Sequence, residues 1–285
     1  MSEGLTSQIE IVDLPTTFGA ALSDRQLRER DYYEEYSRFN APKEICFDPV
    51  LGHERRPWNP YWFLCETIAA SFKSANQKVL DFGCGPGIYT VTFAKVGFDA
   101  YGFDISPNNI AIAEELARQY KLADRTHFKV GVGEGLDYED ETFDVVVGID
   151  ILHHVDIEHS VSECLRVLKR GGFAIFKEPL EVPVFDPLRD TAFGRWVLPK
   201  DRSLERHITE DERKLTSHDL RTLRALCSRM TVKRFRLFSR LDAFNKNLAT
   251  NGRPSSIEKF DECVFQFLPF MKTFGGDVVI VLHKD

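Results

Sequence analysis

The sequence KVLDFGCGPG at residues 78–87 constrains the fold of this chain more than any other stretch. It begins as an apolar, strand-like run, continues with the acid Asp81, and then places glycines at three alternate positions, Gly83, Gly85 and Gly87. Glycine loses more backbone freedom on folding than any other residue, so this spacing needs a physical reason. We expect a ligand to approach the backbone here so closely that side chains must be absent.

Strand-like and helix-like segments alternate from residue 78 to residue 179. One helix start is well marked, because Ser106 is a favourable N-cap and Pro107 suits the first helical position. The segment 157–170 is predicted to be a helix with cations in its last turn, ended by the glycines that follow it. The alternation predicts right-handed βαβ crossovers and an α/β fold with a doubly wound, mostly parallel sheet.

Further elements are predicted on both sides of this region. Before it, one helix begins at Ser23 or Asp24, and a second begins near Asn59 and Pro60. After it, the patterns predict helices at residues 217–229 and 255–271, a strand at residues 231–238 and a closing strand at residues 277–283. The apolar stripe of the last helix fits core or cap packing, a hydrophobic substrate wall or a dimer surface.

The glycine loop differs from two common phosphate-binding motifs. A dinucleotide fingerprint would need its third glycine where Ile88 stands, and the Gly-Lys-Ser/Thr ending of a P-loop is absent. In a doubly wound sheet, ligands bind at the carboxyl ends of the strands, where the loop after the first strand lies. The helix that follows offers its N-terminus to a negative group, so the pattern indicates a cofactor.

The acid before the glycines, their Gly-x-Gly-x-Gly spacing and a second acid, Asp104, at the end of the following strand together resemble class I S-adenosylmethionine-dependent methyltransferases of small molecules. The resemblance covers roughly residues 60–180. It implies a Rossmann-like sheet of seven strands, the last one antiparallel. It also implies an N-terminal helical extension or lid at residues 1–60, and a methyltransferase domain at residues 61–285 with insertions near 180–215 and 240–275.

The resemblance implies S-adenosyl-L-methionine as cofactor and S-adenosyl-L-homocysteine as product. Asp104 takes the role of ribose acceptor, and the turn after the third strand takes that of the adenine contact. A sulfonium cation suits a pocket lined by acids. The predicted cofactor-binding residues are Asp81, Gly83, Cys84, Gly85, Gly87, Asp104, Ile105, Glu134, Gly135, Leu136 and Asp150.

Two adjacent histidines follow the fourth strand and supply a candidate base. Histidine titrates near neutrality, and by resemblance the first of the pair faces the substrate while the second packs. We therefore predict His153 as the base and His154 as structural, with a pocket-wall role for His153 as the alternative. Asp150 is the next candidate, and Glu178 is expected to orient the substrate or only to pair with Lys177.

The sequence argues against metal and nucleic acid at this site. Metal-dependent relatives carry an Asp-Asn pair after the fifth strand, where this chain has Lys177-Glu178-Pro179, so no metal is predicted. The formal net charge of −7 disfavours nonspecific nucleic-acid binding. The six cysteines form no C-x-x-C pair, and no apolar run reaches the roughly 20 residues of a membrane span. We expect a cytoplasmic protein, a monomer or a homodimer.

The predicted function is methyl transfer to a small-molecule acceptor, at oxygen. The alternatives are N- or C-methylation of a small molecule, methylation of a protein or RNA, and cofactor binding without catalysis. The tyrosines of the first helix, Tyr32, Tyr33 and Tyr36, are candidates for a lid over the cofactor, with plain helix packing as the alternative.

Overall fold

The computed structural model describes residues 22–42, 44–182, 213–239 and 256–285. Seven strands form one sheet in the order β3-β2-β1-β4-β5-β7-β6. Strands β1 to β5 pair in parallel, and β7 runs antiparallel to both β5 and β6. The predicted mostly parallel sheet with an antiparallel last strand is therefore confirmed. The strands are β1 (Lys78–Phe82), β2 (Asp99–Asp104), β3 (Thr126–Val130), β4 (Phe143–Ile149), β5 (Leu168–Pro179), β6 (Arg229–Phe235) and β7 (Asp277–His283).

Several helices in the described ranges begin where the sequence places capping residues. Ser23 accepts a hydrogen bond from the backbone N–H of Gln26, and Asn59 and Ser106 cap their helices in the same way. Short 3₁₀ turns occupy Ala123–Arg125, Leu152–His154 and Pro269–Phe274. The α-helices are α1 (Asp24–Asn40), α2 (Asp48–Leu51), α3 (Pro60–Ser71), α4 (Ile88–Val96), α5 (Pro107–Gln119), α6 (Ile157–Val167), α7 (Ser217–Leu226) and α8 (Ser256–Phe267).

Two hydrophobic layers cover the two faces of the sheet. On one face, α3 and α4 bury Leu64, Ile68 and Phe93 against the strands. On the other face, α6 and α7 bury Val161 and Leu223. Both faces of the central strands are thus excluded from water, which explains why β4 reads as a nearly continuous apolar run. This double layer leaves the carboxyl ends of the strands as the place for a ligand.

Three predicted helix ends were too late in the sequence. Helix α6 ends at Val167 because Leu168 is fully buried and already pairs with Phe143 at the start of β5. Helix α7 ends at Leu226, three residues before β6 begins. Helix α8 ends at Phe267, ahead of Pro269, and a 3₁₀ turn continues the chain. In each case, tertiary pairing or a proline overrides the helical pattern.

Candidate functional site

A cavity of about 270 Å³ lies at the carboxyl ends of β1, β2 and β4. This is the edge where a doubly wound sheet binds its ligands. The cavity is lined by the loop after β1, the ends of β2 and β4, the segment 131–134 after β3, and one side of α1. Predicted cofactor-binding residues that line it are Asp81, Gly83, Cys84, Gly85, Asp104, Ile105, Glu134 and Asp150.

The three glycines of the loop have three different surroundings. All three have positive φ, of 69°, 50° and 81° at Gly83, Gly85 and Gly87. A Cβ on Gly83 would stand 2.5 Å from the Ile151 side chain, and one on Gly87 would stand 2.5 Å from Cβ of Ala113 in α5. A Cβ on Gly85 would meet no atom within 4 Å. Gly85 therefore leaves backbone open to a ligand, whereas Gly87, which does not line the cavity, allows α4 and α5 to pack closely.

Two buried acids end the strands β1 and β2. Asp81 is 2% exposed, and its Oδ2 accepts a hydrogen bond of 2.7 Å from the hydroxyl of Thr90. Burial raises the pKa of Asp81 to about 7, even though the Thr90 hydrogen bond favours the charged form. The fold thus holds a carboxyl group in a setting that penalises its charge, which is a feature typical of functional sites.

Asp104 fixes the glycine loop and keeps one hydrogen-bonding position unused by the described residues. Its Oδ2 accepts from the backbone N–H of Gly85 at 2.9 Å. Its Oδ1 accepts from the backbone N–H of Ser106 and the side-chain amide of Asn109, each at 3.0 Å. Burial raises its pKa, against the effect of these donors. A carboxylate has about four acceptor positions, so Asp104 can accept one further donor from a ligand.

Helix α1 lines one side of the cavity. Gln26 donates 3.0 Å to Glu134 Oε2, and Arg25 donates 3.1 Å to the backbone oxygen of His153. Glu34 accepts from the hydroxyl of Ser106, at 2.7 Å. Of the three predicted lid tyrosines, Tyr33 and Tyr36 line the cavity, whereas Tyr32 packs edge-on against Tyr33. The lid role of residues 1–60 stays a prediction, and residues 1–21 lie outside the described ranges.

The segment after β3 contacts the cavity earlier than predicted. Val132, Gly133 and Glu134 line it, whereas Gly135 is exposed and Leu136 is buried in the core. The Leu136 N–H donates to a glutamate of α6 rather than facing the cavity. The structure therefore does not bring Gly135 and Leu136 to the site. The signal that was missed is the pair of glycines, Gly131 and Gly133, that directly follows β3.

Asp150 lines the cavity, but its charge is already balanced. Its Oδ1 lies 2.7 Å from Nζ of Lys177, and its Oδ2 accepts 3.0 Å from the hydroxyl of Tyr61. Lys177 also pairs with Asp277 at 3.1 Å, and Arg236 lies 3.3 Å from the same carboxylate. Burial opposes the charge of Lys177, yet these carboxylates outweigh it and raise its pKa. Asp150 is thus less available to a sulfonium than the sequence pattern suggested.

Glu178 pairs with a histidine and not with its neighbour Lys177. Adjacent residues of a strand point to opposite faces, which separates Lys177 from Glu178. Glu178 is fully buried, and its Oε2 lies 2.7 Å from Nδ1 of His153. Its Oε1 accepts from the backbone N–H groups of Ile151 and Leu152, both at 2.8 Å. Glu178 therefore fixes the turn after β4; of the two alternatives for it, the pair with Lys177 is not formed, and the orientation of a substrate stays a prediction.

The two histidines are oriented opposite to the expectation. His154 lines the cavity, whereas His153 is not among the lining residues and is 4% exposed. His154 Nδ1 lies 3.1 Å from Glu29 Oε2, and its Nε2 lies 3.2 Å from the hydroxyl of Tyr33. The turn Leu152–His154 is a 3₁₀ turn, and this turn decides which ring faces inward. A catalytic role for His153 stays a prediction.

The comparison with protein families covers the sheet region that builds this cavity. Residues 80–176, from within β1 to within β5, match the family model Methyltransf_11, described as "Methyltransferase domain". This part of the chain, residues 80–176, is therefore similar to a methyltransferase domain. The resemblance seen in the glycine loop is therefore confirmed.

Two curated methyltransferases are similar to parts of this chain. The ubiquinone biosynthesis O-methyltransferase of Rhizobium johnstonii is 33% identical over 113 residues, which are 38% of this chain and 45% of that protein. The norajmaline N-methyltransferase of Rauvolfia serpentina is 36% identical over 98 residues, 34% of either chain. The chain thus matches half or less of the length of these relatives.

A solved structure shares the whole fold of the methyltransferase domain. The geranyl diphosphate C-methyltransferase of Streptomyces coelicolor A3(2) aligns with a TM-score of 0.57, at 15% identity, over 93% of this chain and all of that chain. At this identity the likeness shows the fold alone. The three similar proteins methylate oxygen, nitrogen and carbon according to their names, so the domain by itself does not fix the acceptor atom.

Several of the residues that line the cavity come from α1, outside the matched residues 80–176. Glu29 and Tyr33 reach the cavity, although nothing in their local pattern marks them beyond the aromatic cluster. Within the described ranges, no group of three or more histidine, cysteine, aspartate or glutamate side chains is arranged to hold a metal ion. None of the helices in those ranges has the length and apolarity that crossing a bilayer requires.

Proposed function

We propose that this protein transfers a methyl group from S-adenosyl-L-methionine to a small-molecule acceptor, at oxygen. The observation that carries the proposal is the cavity at the carboxyl ends of β1, β2 and β4, which combines an open backbone at Gly85 with the buried acids Asp81 and Asp104. The matched methyltransferase domain spans these strands and supports the same reading.

The residues of the cavity suit this cofactor. When bound, S-adenosyl-L-methionine supplies a methyl group on a cationic sulfur. Asp104 offers its remaining acceptor position to a ribose hydroxyl, and the loop backbone at Gly85 is open to a close approach. The N-terminus of α4 favours a carboxylate, and Glu134 adds negative charge where a cation is to be held. A bound cation would also favour the charged form of the buried Asp81. Cys84 and Ile105 complete the wall.

The contribution of the chain to the transfer is alignment and exclusion of water. Methyl transfer is an in-line displacement, so holding the two reactants in one geometry supplies much of the acceleration. Helix α1 lines the cavity and is held against it by Gln26 and Glu34, which bond to Glu134 and to Ser106. A hydroxyl acceptor must also lose its proton, which requires a base at the cavity wall.

The choice of oxygen is supported by the O-methyltransferases among the similar proteins, at 33% and 35% identity over part of their length. Methyl transfer to nitrogen or carbon is the alternative, and the N- and C-methyltransferases among the similar proteins favour it. Cofactor binding without turnover is the candidate from another class. Product formation separates these possibilities.

Calorimetry with S-adenosyl-L-homocysteine and with NAD tests the cofactor. We expect S-adenosyl-L-homocysteine to bind and NAD not to bind. Asp104→Asn should weaken binding about 10- to 100-fold, because it removes a charged acceptor worth roughly 1.5–3 kcal/mol. Asp99→Asn is the matched control, since Asp99 lies at the opposite end of the same strand, bonded to Tyr101 and His127.

Mass spectrometry with labelled S-adenosyl-L-methionine tests turnover on panels of phenols, amines and activated methylene compounds. Formation of S-adenosyl-L-homocysteine in the presence of phenols supports transfer to oxygen. Its formation only in the presence of amines or carbon acids contradicts transfer to oxygen. Binding of NAD in place of S-adenosyl-L-homocysteine would overturn the proposed cofactor.

A further inference from the structure

A cavity of about 450 Å³, called here the β6 cavity, lies beside the edge strand of the sheet. Its walls come from β6, from helix α8 and from the 3₁₀ turn Pro269–Phe274. It shares no lining residue with the cavity at the ends of β1, β2 and β4, and the strands β5 and β7 lie between the two. Pockets for small organic ligands usually measure about 300–1,000 Å³, so this cavity can hold one.

The walls of the β6 cavity carry three cations and one carboxylate. Lys233 and Arg234 come from β6, Lys272 comes from the 3₁₀ turn, and the carboxylate of Glu262 comes from α8. Within the part of the chain that the structure describes, no carboxylate forms an ion pair with any of these three cations. The walls therefore have a local formal charge of +2, in a chain whose formal net charge is −7.

Each of the three cations keeps hydrogen-bond donors that no described residue uses. Nζ of Lys233 donates 2.7 Å to the backbone oxygen of Pro57, and Nη1 of Arg234 donates 2.8 Å to that of Thr273. An ammonium group has three N–H donors and a guanidinium has five, so both side chains retain donors for a ligand. The ammonium of Lys272 is exposed and has no hydrogen-bond partner among the described residues.

The cations of the β6 cavity are held in surroundings that disfavour their charge. Burial lowers the pKa of Lys233, the nearby charge of Lys272 lowers it further, and Glu262 opposes these effects only in part. Burial also lowers the pKa of Arg234, with no carboxylate to oppose it. An anion bound among these side chains would replace the repulsion between the two lysines by attraction.

We propose that the β6 cavity binds the phosphate group of a small phosphorylated molecule. A phosphate monoester carries a charge of about −1.5 to −2 near pH 7, which matches the local charge of the walls. The planar guanidinium of Arg234 suits two phosphate oxygens at once, and the ammonium groups of Lys233 and Lys272 suit the third. The buried ring of Phe265 offers an apolar surface to the organic part of the ligand, and Glu262 can accept from a ligand hydroxyl.

A phosphate group could also reach this cavity as part of a lipid headgroup. Phe267 and Phe270 are 78% and 63% exposed. They lie in the chain between Gln266 and Lys272, which line the cavity. Exposed aromatic side chains beside cations are typical of surfaces that contact anionic lipids. The cavity, however, reaches the buried Phe265, and this depth favours a soluble ester.

Titration of the full chain with phenyl phosphate, followed by ¹H–¹⁵N spectra, tests the site without any methyl acceptor. We expect saturable shifts of the backbone resonances of Lys233, Arg234 and Lys272, whereas those of Gly83 and Gly85 at the other cavity should stay in place. Phenol at the same concentrations should not produce these shifts, because it lacks the phosphate group. Equal shifts with phenol, or shifts only at the other cavity, would overturn the proposal.

Charge-removing variants identify the side chains that hold the phosphate. Lys272→Gln and Arg234→Gln should each raise the Kd of phenyl phosphate about 10-fold, because each removes a charge-assisted hydrogen bond. Lys259→Gln on α8 and Arg229→Gln on β6 are the matched controls, since both residues are exposed and lie outside the cavity walls. Both controls should keep the wild-type Kd, and Lys272→Gln should keep the wild-type Tm. An unchanged Kd in Lys272→Gln and Arg234→Gln, or an equal loss in the controls, contradicts the site.

Sedimentation with lipid vesicles distinguishes the two sources of a phosphate group. We expect the protein to stay in the supernatant with vesicles of phosphatidylcholine, and also with vesicles that contain phosphatidic acid in addition. Sedimentation with the phosphatidic acid vesicles, without any binding of phenyl phosphate, would overturn the small-molecule ligand in favour of a lipid headgroup. The result is independent of the proposed methyl transfer, because neither measurement involves the cofactor or an acceptor.

Discussion

Replacing Asp81 by asparagine should make the protein more stable above neutral pH. Asp81 is buried at the end of β1, and its pKa is raised to about 7 from an ordinary value near 3.9. Asparagine has the same shape, can still accept the hydrogen bond of Thr90 and never becomes charged. The wild-type protein must either keep this carboxyl protonated or bury a charge.

The sign and size of the effect follow from proton linkage. Between about pH 4 and about pH 7, the native state holds a proton at Asp81 that the unfolded chain has already released. The stability that this group contributes is therefore greatest below about pH 4 and falls by about 1.4 kcal/mol for each pH unit up to about pH 7. From about pH 5 to about pH 8, the free energy of unfolding of the wild type should fall by about 3 kcal/mol relative to that of Asp81→Asn.

Urea denaturation at several pH values measures this difference directly. Thr90→Val is the informative companion variant, because it leaves Asp81 in place and removes a hydrogen bond that favours its charged form. In Thr90→Val, the loss of stability should extend to higher pH than in the wild type. If the free energies of unfolding of wild type and Asp81→Asn run parallel across this pH range, the buried carboxyl does not have the raised pKa argued here.

Three further changes test the packing around the site. Gly87→Ala should lower the free energy of unfolding by about 1–3 kcal/mol in urea, because φ is 81° and the new Cβ would stand 2.5 Å from Cβ of Ala113; a loss below about 0.5 kcal/mol would contradict the packing role. Lys177→Met should lower the free energy of unfolding by about 3–5 kcal/mol, since it removes a buried cation from the carboxylate of Asp277. An unchanged free energy of unfolding by calorimetry would show that Arg236 alone balances that charge. Glu178→Gln should lower Tm by several degrees with little change in cofactor affinity, and unchanged Tm would mean that the turn after β4 holds without the carboxylate.

Much of the fold follows from local patterns in the sequence. The α/β class and the parallel part of the sheet follow from the alternation of apolar strands and amphipathic helices with right-handed βαβ crossovers, whereas the seven strands with an antiparallel last strand were implied by the family resemblance. Ser23, Asn59 and Ser106 mark helix starts correctly because capping is decided by a few adjacent residues. The helix ends were less predictable: α6 gives way at Leu168 to a strand whose pairing with β4 and β7 involves residues far away in sequence.

The candidate site was predictable where it depends on one strand end and its loop. Asp81, Gly83, Gly85 and Asp104 line the cavity as expected, since the ends of parallel strands meet at one edge. Gly87 was assigned to the cofactor through the family resemblance, and its surroundings account for it by the close approach of α4 to α5. Spacing shows that a glycine is required, but not which neighbour requires it.

The sequence by itself determined the sheet, its helices and the loop with positive φ angles, because periodicity, caps and glycines act over a few residues. Only the tertiary structure decided the partners of the charged side chains. The pairing of β5 with β7 brings Asp277 to Lys177 across a hundred residues, while strand alternation turns Glu178 to the opposite face, toward His153. Docking of α1 decides that His154 meets Glu29, since contacts between distant segments leave no local pattern in a sequence.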